Sequence, residues 1–321
     1  MTMDAADLRA RKDELTAEHG AWMANNIHLG HGVHTRSNNW VGIGDLLVHA
    51  VTQAVADLTA KPLDQLRVLD LACGEGGFSI ELGLHGASVL GIEGRTGNIE
   101  KARFAAEVLG LDRVTFQQGD VREWTEESIG RFDVVLCLGI LYHLEATDAV
   151  NLIERCYGIC EDVLVIRSAI GLTPNVGVSV NGRNYRGRRY GENVREQFAS
   201  LDNPISFFPT RASLLNLLAD TGFTSVYEVR NPVVPELDDF RDNVTLAAIR
   251  GHRAPFLSIP ELDEALPELR RPDRRGPSWI WAAALPEQGI YWRLRERLFH
   301  TVRRTIWESQ RPIESWRNPR R

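Results

Sequence analysis

Val68-Leu69-Asp70-Leu71-Ala72-Cys73-Gly74-Glu75-Gly76-Gly77-Phe78 is an apolar run that enters glycines and leaves as the start of a second apolar segment. Glycine serves a backbone that must turn sharply, or that a ligand must approach without a Cβ in the way. The pattern predicts a buried strand over Arg67–Ala72, a tight turn, and a helix from Phe78 to Leu84. Outward from this stretch the same rhythm repeats. Strands are expected at Ser88–Glu93, Val114–Gln118, Phe132–Leu138 and Val163–Arg167, with helices at Thr96–Leu109 and Thr147–Cys160 between them. Strands separated by helices pair in parallel through right-handed crossovers.

On the N-terminal side, Met1 to Ala24 reads as a helix rich in Ala, Leu, Arg and Glu. Asn25–Trp40 has no periodicity and reads as an ordered loop. Asp45–Thr59 carries Leu46, Leu47, Val51, Val55 and Leu58 at helical spacing, and Pro62 ends it. On the C-terminal side, 171–209 breaks the rhythm with repeated Gly, Asn and Arg, and is expected to be an irregular lid. Thr210 caps a helix through Thr221, closed by Gly222. Ser225–Arg230 and Asn243–Ile249 are expected as an antiparallel hairpin at the sheet edge. From Gly251 the composition shifts to a Pro-rich stretch and then a basic amphipathic helix through Leu294, Leu298, Val302 and Ile306. That stripe is expected to pack on its own domain or across a homodimer interface rather than on a membrane.

The whole chain of 321 residues, 43% hydrophobic and 25% charged, is that of an ordinary globular protein. Its formal net charge of −6 gives no signature of nucleic-acid binding. The four cysteines, Cys73, Cys137, Cys156 and Cys160, match no common zinc spacing and read as reduced thiols of a cytoplasmic protein. There is no apolar signal region and no run of membrane-spanning length.

A glycine turn between strand and helix also suits a dinucleotide. Three carboxylates discriminate. Asp70, at the strand end, suits the cationic part of a ligand and would repel a pyrophosphate. Glu93 ends the next strand, where it can accept from two ribose hydroxyls. Asp120 follows the third strand, where it can accept from an adenine amino group. The order Asp70, Gly74, Gly76, Glu93, Asp120, Phe132-Asp133-Val134-Val135 resembles the class I S-adenosylmethionine-dependent methyltransferases over roughly Arg67 to Arg250. One departure is Ala72, where that family usually has its first glycine. The resemblance implies S-adenosyl-L-methionine as cofactor, held by Asp70, Ala72, Gly74, Gly76, Glu93, Gly94, Asp120, Val121 and Leu138. The competing reading makes these carboxylates surface caps and Cys73 a core residue.

Leu138-Gly139-Ile140-Leu141-Tyr142-His143-Leu144 follows the fourth strand, and ligands of open α/β sheets bind beyond the carboxyl ends of the strands. His143 is the candidate general base, against a reading as a helix cap; Tyr142 is a candidate cofactor or substrate contact. Asn26, His28, His31, His34 and Trp40 precede the core as a cover, with His28 or His31 an alternative base and no metal expected. Ile27–Thr35, the Leu-Tyr-His element and Phe207-Phe208-Pro209-Thr210 are similar to the enzymes that carboxymethylate tRNA wobble uridine, and equally to small-molecule methyltransferases of secondary metabolism. From Met23 to Gly44 there is no lysine and Arg36 alone is basic, which speaks against the extra carboxylate of the first group. Glu236, Asp238, Asp239 and Asp242 read as a solvated turn, and Arg183, Arg186, Arg188 and Arg189 as part of the lid.

The expectation is an α/β, Rossmann-like, mostly parallel seven-stranded sheet with helices on both faces and an antiparallel last strand. An N-terminal helical cover (1–60), a cofactor-binding domain (61–250) with an inserted lid (171–209), and a C-terminal extension (251–321) divide the chain. The expected reaction is methyl transfer to an O, N or C nucleophile of a small molecule in specialised metabolism. The alternatives are a tRNA-modifying enzyme and a non-catalytic cofactor-binding module.

Overall fold

The computed structural model describes residues 3–36, 43–194, 199–229 and 242–251, all inside one compact unit, Met1–Glu268. The expected tail helix, Trp40 and most of the acidic run at 236–242 lie outside the described residues.

The chain runs α1 (Ala5–His19), β1 (His28–Gly30), β2 (Val33–His34), α2 (Ile43–Leu58), β3 (Arg67–Leu71), α3 (Gly77–Leu84), β4 (Ser88–Glu93), α4 (Thr96–Val108), β5 (Val114–Gln118), α5 (Glu126–Ile129), β6 (Phe132–Leu138), α6 (Ala146–Ile159) and β7 (Cys160–Ala169). It continues through β8 (Val176–Val180), β9 (Arg183–Gly191), β10 (Ile205–Pro209), α7 (Arg211–Thr221), β11 (Ser225–Glu228) and β12 (Asn243–Ile249). The main sheet has seven strands in the order β11-β12-β7-β6-β3-β4-β5. The pairs among β3 to β7 are parallel, and β12 is antiparallel to both β7 and β11.

Alternate residues of the central strands feed two cores, one on each face. Val68, Val134 and Val165 pack with Val51, Val55, Ile80 and Ile99 of α2, α3 and α4. Leu69, Val135 and Leu164 pack with Leu152, Ile153, Leu214 and Leu218 of α6 and α7. Strands buried on both faces read as unbroken apolar runs, which is why the sequence places them well. Burying each such side chain contributes roughly 1.5–3 kcal/mol.

The N-terminal end of the sheet is tied by Asp133, whose carboxylate accepts from Lys61 Nζ at 2.5 Å and Arg67 N at 2.8 Å. Its place in the sequence motif therefore reflects a clamp at the end of the sheet away from the glycines.

Three expectations need correction. Helix α1 spans fifteen residues, not the whole of Met1–Ala24. Asp4 caps its start, and Gly20, at φ 82°, ends it in a conformation no other residue adopts cheaply. The stretch after it is not a loop throughout: β1 and β2 form a short antiparallel ribbon, with Ile27, Leu29 and Val33 buried. Finally, 171–209 is not irregular throughout. It folds into its own antiparallel sheet, β10-β9-β8. Asn181 and Gly182 have φ of 51° and 77°, the two left-handed residues of a tight hairpin turn between β8 and β9.

Candidate active site

The carboxyl ends of β3, β4, β5 and β6 lie side by side in the parallel sheet, and the loops leaving them build the site. At the end of β3 the chain turns through Ala72, Gly74 and Gly76, with φ of 54°, 57° and 84°. Ala72 is thus a non-glycine residue in the left-handed region, where a Cβ carries a strain cost. A Cβ on Gly76 would lie 3.0 Å from Ala102 and from Phe116, whereas one on Gly74 would meet nothing within 4 Å. Gly76 is therefore needed for packing as well as for turning, while Gly74 borders open space.

Glu93, buried at the end of β4, closes this turn. Its Oε2 accepts from Gly74 N at 3.1 Å and its Oε1 from Arg95 N at 2.8 Å. A carboxylate has about four lone-pair positions, so capacity remains for further donors. Asp70 is sealed beneath the turn, 1% exposed, and its Oδ2 accepts from Ser79 Oγ at 2.7 Å. Burial pushes its carboxyl up to about 7, against hydrogen bonds from Ser79 that pull it down, and the nearby Glu93 pushes it further up. Asp70 meets Ser79 rather than standing free at the strand end. Asp120 is engaged by Arg122, which donates Nε at 2.9 Å and an Nη at 2.5 Å, and this holds its carboxyl below the usual range. Arg122 also reaches Asp202 at 2.7 Å. Val121 is buried, and Leu138 packs against the core at the end of β6. Gly94 abuts Leu201, where a Cβ would come within 2.3 Å of its side chain.

Glu75 and Lys101 were missed by the sequence reading. Glu75 sits inside the glycine turn, buried, and accepts from Met23 N and Ala24 N, each at 2.9 Å, and from Lys101 Nζ at 2.9 Å. The same ammonium donates to Ala21 O at 2.9 Å. The pair fastens the segment after α1 onto the turn, and Asn25 then packs so closely on Gly77 that a Cβ there would overlap its side chain. Lys101 is one of three lysines in a chain otherwise using arginine, which is the signal that was available.

Beyond β6, Leu141–His143 forms a single 3-10 turn. His143 Nδ1 lies 3.0 Å from Glu192 Oε1, with the two side chains 16% and 5% exposed. Glu192, just after β9, also accepts from Ser206 Oγ at 2.9 Å and Ser200 N at 3.4 Å. Burial pushes Glu192 up, but these hydrogen bonds outweigh it and hold its carboxyl below the usual range. Tyr142 packs edge-on to Phe208, which stacks on Tyr190. The segment Ala199–Asn203 reaches across: Arg95 donates to Ala199 O at 2.9 Å, and Asn203 Nδ2 to His143 O at 3.2 Å. His28 is exposed on the ribbon, its ring stacked on His34 at 4.6 Å. Burial, and then His28, lower the basicity of His34.

Residues 63–169 match the methyltransferase domain family. Over these residues the chain is similar to methyltransferase domains. Over 71 residues the chain is 46% identical to the 23S rRNA (uracil(1939)-C(5))-methyltransferase RlmD of Shewanella halifaxensis, a match covering 22% of this chain and 16% of that protein. Over 84 residues it is 39% identical to the ubiquinone biosynthesis O-methyltransferase of Azorhizobium caulinodans, covering 26% and 32%. The chain thus spans a third or less of the length of these two relatives. The methyltransferase fold extends further than these matches. The N-terminal domain of EvdMO1, crystallised in the presence of SAH and D-fucose, superposes with a TM-score of 0.60 over 78% of this chain and 98% of that one, at 22% identity. Among the described residues no helix is long and apolar enough to cross a membrane.

Proposed function

We propose that this chain transfers the methyl group of S-adenosylmethionine to a nucleophilic atom of a small molecule in specialised metabolism, as a cytoplasmic enzyme. The observation that carries the reading is the closed unit at the ends of β3 and β4. Gly74 sits there on open space, and Glu93 holds the turn while keeping lone pairs in reserve. That donor and acceptor set fits the cofactor: Glu93 for the ribose hydroxyls, the backbone of Ala72, Gly74 and Gly76 for the methionyl part, and Gly94, Asp120, Val121 and Leu138 along the nucleoside. Asp70 braces the turn from beneath through its bond with Ser79. When bound, the cofactor supplies an electrophilic methyl on a sulfonium.

The rest of the chemistry falls to the protein. Positioning two reactants is the larger part of such catalysis. His143 takes the acceptor's proton, and Tyr142, Tyr190 and Phe208 give the acceptor side an aromatic wall. His143 is preferred to His28 because a carboxylate backs its ring, whereas His28 stacks on another histidine. The sheet of β8, β9 and β10 and the segment after α1 act as covers.

A small molecule is preferred to nucleic acid because the chain is acidic overall, and RNA binding draws on many cationic contacts. The RNA reading draws on the short match to RlmD. Titration calorimetry with S-adenosylmethionine and S-adenosylhomocysteine, followed by labelled-methyl transfer to panels of hydroxyl and amine acceptors and to bulk tRNA and rRNA, tests both. Micromolar cofactor binding and label on a small acceptor support the proposal. Label on RNA alone transfers the assignment to RNA, and absence of cofactor binding ends the enzymatic reading.

A further inference from the structure

Glu192 belongs to no motif of the methyltransferase core and lies on the inserted sheet, yet it is the partner of the one histidine at the end of β6. We propose that Glu192 is a positioning residue for His143, fixing the ring as the Nδ1–H tautomer and leaving Nε2 as the proton-accepting nitrogen. The inference rests on the reading of His143 as the base.

Two observations converge on it. The first is geometric. Glu192 Oε1 lies 3.0 Å from His143 Nδ1 in a pair whose side chains are 5% and 16% exposed, so water competes little for either group. An ionised carboxylate accepts and cannot donate, so the proton between them belongs to Nδ1. A histidine whose Nδ1–H is committed in this way presents the opposite nitrogen unprotonated.

The second is that Glu192 is itself held in place. Ser206 Oγ donates to Oε1 at 2.9 Å and Ser200 N to Oε2 at 3.4 Å, from β10 and from the segment that Arg95 secures. Residues 190, 192, 206 and 208 share one face of the small sheet by strand alternation, and on that face Tyr190 stacks on Phe208. Phe208 meets Tyr142, whose ring is 4.4 Å from that of His143. The turn itself is fixed by Phe207 N donating to Leu144 O at 2.8 Å and by Asn203 Nδ2 on His143 O. A carboxylate so placed also stabilises the imidazolium formed when the ring takes a proton, because an opposite charge in contact favours the charged form.

The test is two-bond 1H–15N spectroscopy of the histidine rings of the full chain, without cofactor or acceptor, between pH 5 and pH 9. The signals of His143 are assigned by their loss in His143→Gln. The neutral ring is expected in the Nδ1–H form. In Glu192→Gln, whose one carbonyl oxygen accepts from Ser200 N while its amide N–H donors face Ser206 Oγ and His143 Nδ1, the Nε2–H form becomes populated. Glu192→Asp returns the ring toward the wild-type tautomer. A purely structural Glu192 leaves the tautomer unchanged in the glutamine variant, and that result overturns the proposal. Should the variant not fold, a neutral wild-type ring in the Nε2–H form overturns it equally, and an Nδ1–H ring sustains it. The base reading fails separately, if His143→Gln methylates its acceptor at the wild-type rate while the ring spectra stay as expected.

Discussion

In the part of the site made by β3, β4 and β5, functional groups find their partners a short way along the chain. Asp70 meets Ser79 nine residues on, Gly74 meets Glu93 after nineteen, and Asp120 meets Arg122 after two. In the part beyond β6 the distances are of another order. His143 meets Glu192 after forty-nine residues, and its carbonyl meets Asn203 after sixty. The first region is built by strand ends that the parallel sheet brings together anyway. The second depends on an added sheet being correctly seated. The proposed cofactor side should therefore tolerate changes to β8, β9 and β10 that leave Ala199–Asn203 in place, while the proposed acceptor side should not.

The largest expected effect probes the boundary between the cofactor turn and the segment laid over it. Lys101→Met removes the cation that neutralises buried Glu75 and should cost about 3–5 kcal/mol of stability in denaturant unfolding. Adding Glu75→Gln should recover part of that loss, because the remaining buried charge is then gone. A cost below 1 kcal/mol would mean the segment is held by something other than this pair.

Next in size is a pH effect confined to the turn. Asp70 has a folded carboxyl at about 7, above its unfolded value of 3.8. The unfolded state therefore loses the proton first, and the penalty grows as pH rises from about 4 to about 7. Asp70→Asn, which keeps an acceptor for Ser79, should gain stability relative to wild type by roughly 2–3 kcal/mol between pH 5 and pH 8. Thermal unfolding of the cofactor-free protein at the two values measures this. A pH-independent difference would show that Asp70 is ionised in the fold.

The sharpest test of the comparison itself is the pair Glu93→Ala and His143→Ala. The first should weaken S-adenosylhomocysteine by about tenfold to a hundredfold in calorimetry, the range for a charged hydrogen-bonding group. The second should leave that affinity within about twofold. Equal losses would mean the two regions are one binding unit. The smallest effect belongs to the insertion: Gly182→Ala places a Cβ at φ 77° and should cost about 1 kcal/mol, read as faster amide exchange in β8 and β9 with α4 unchanged.

Legibility in the sequence follows the same division. β4, β5 and β6 fall on the residues expected: β6 is an apolar run covered on both faces, the edge strand β5 alternates with Val114 and Phe116 buried, and glycines mark the end of each. β9 escaped because Arg183–Gly191 carries arginines, glycines and an asparagine, residue types that strands usually avoid. Its buried positions are Tyr185 and Gly187. The Asn181-Gly182 dipeptide, with Val176–Val180 before it, was the available signal for the hairpin. Glu192 was invisible for a different reason: its significance lies in a contact with a residue in the turn after β6, forty-nine positions away, and no spacing rule reaches across such an insertion. Asp120 was correctly located after β5, but its bond to Arg122 depends on side-chain rotamers that no pattern encodes.

The insertion lends itself to exchange of parts between proteins. Gly171 N donates to Pro209 O at 2.9 Å, so the segment that carries β8, β9 and β10 leaves and rejoins the core at neighbouring points. A segment whose ends already touch can be replaced by another of different length without stretching its host, since closing a longer loop adds only a slowly growing cost. On the proposed function, the junction at Gly171 and Pro209 is accordingly where splicing in another segment should alter the acceptor while sparing the core.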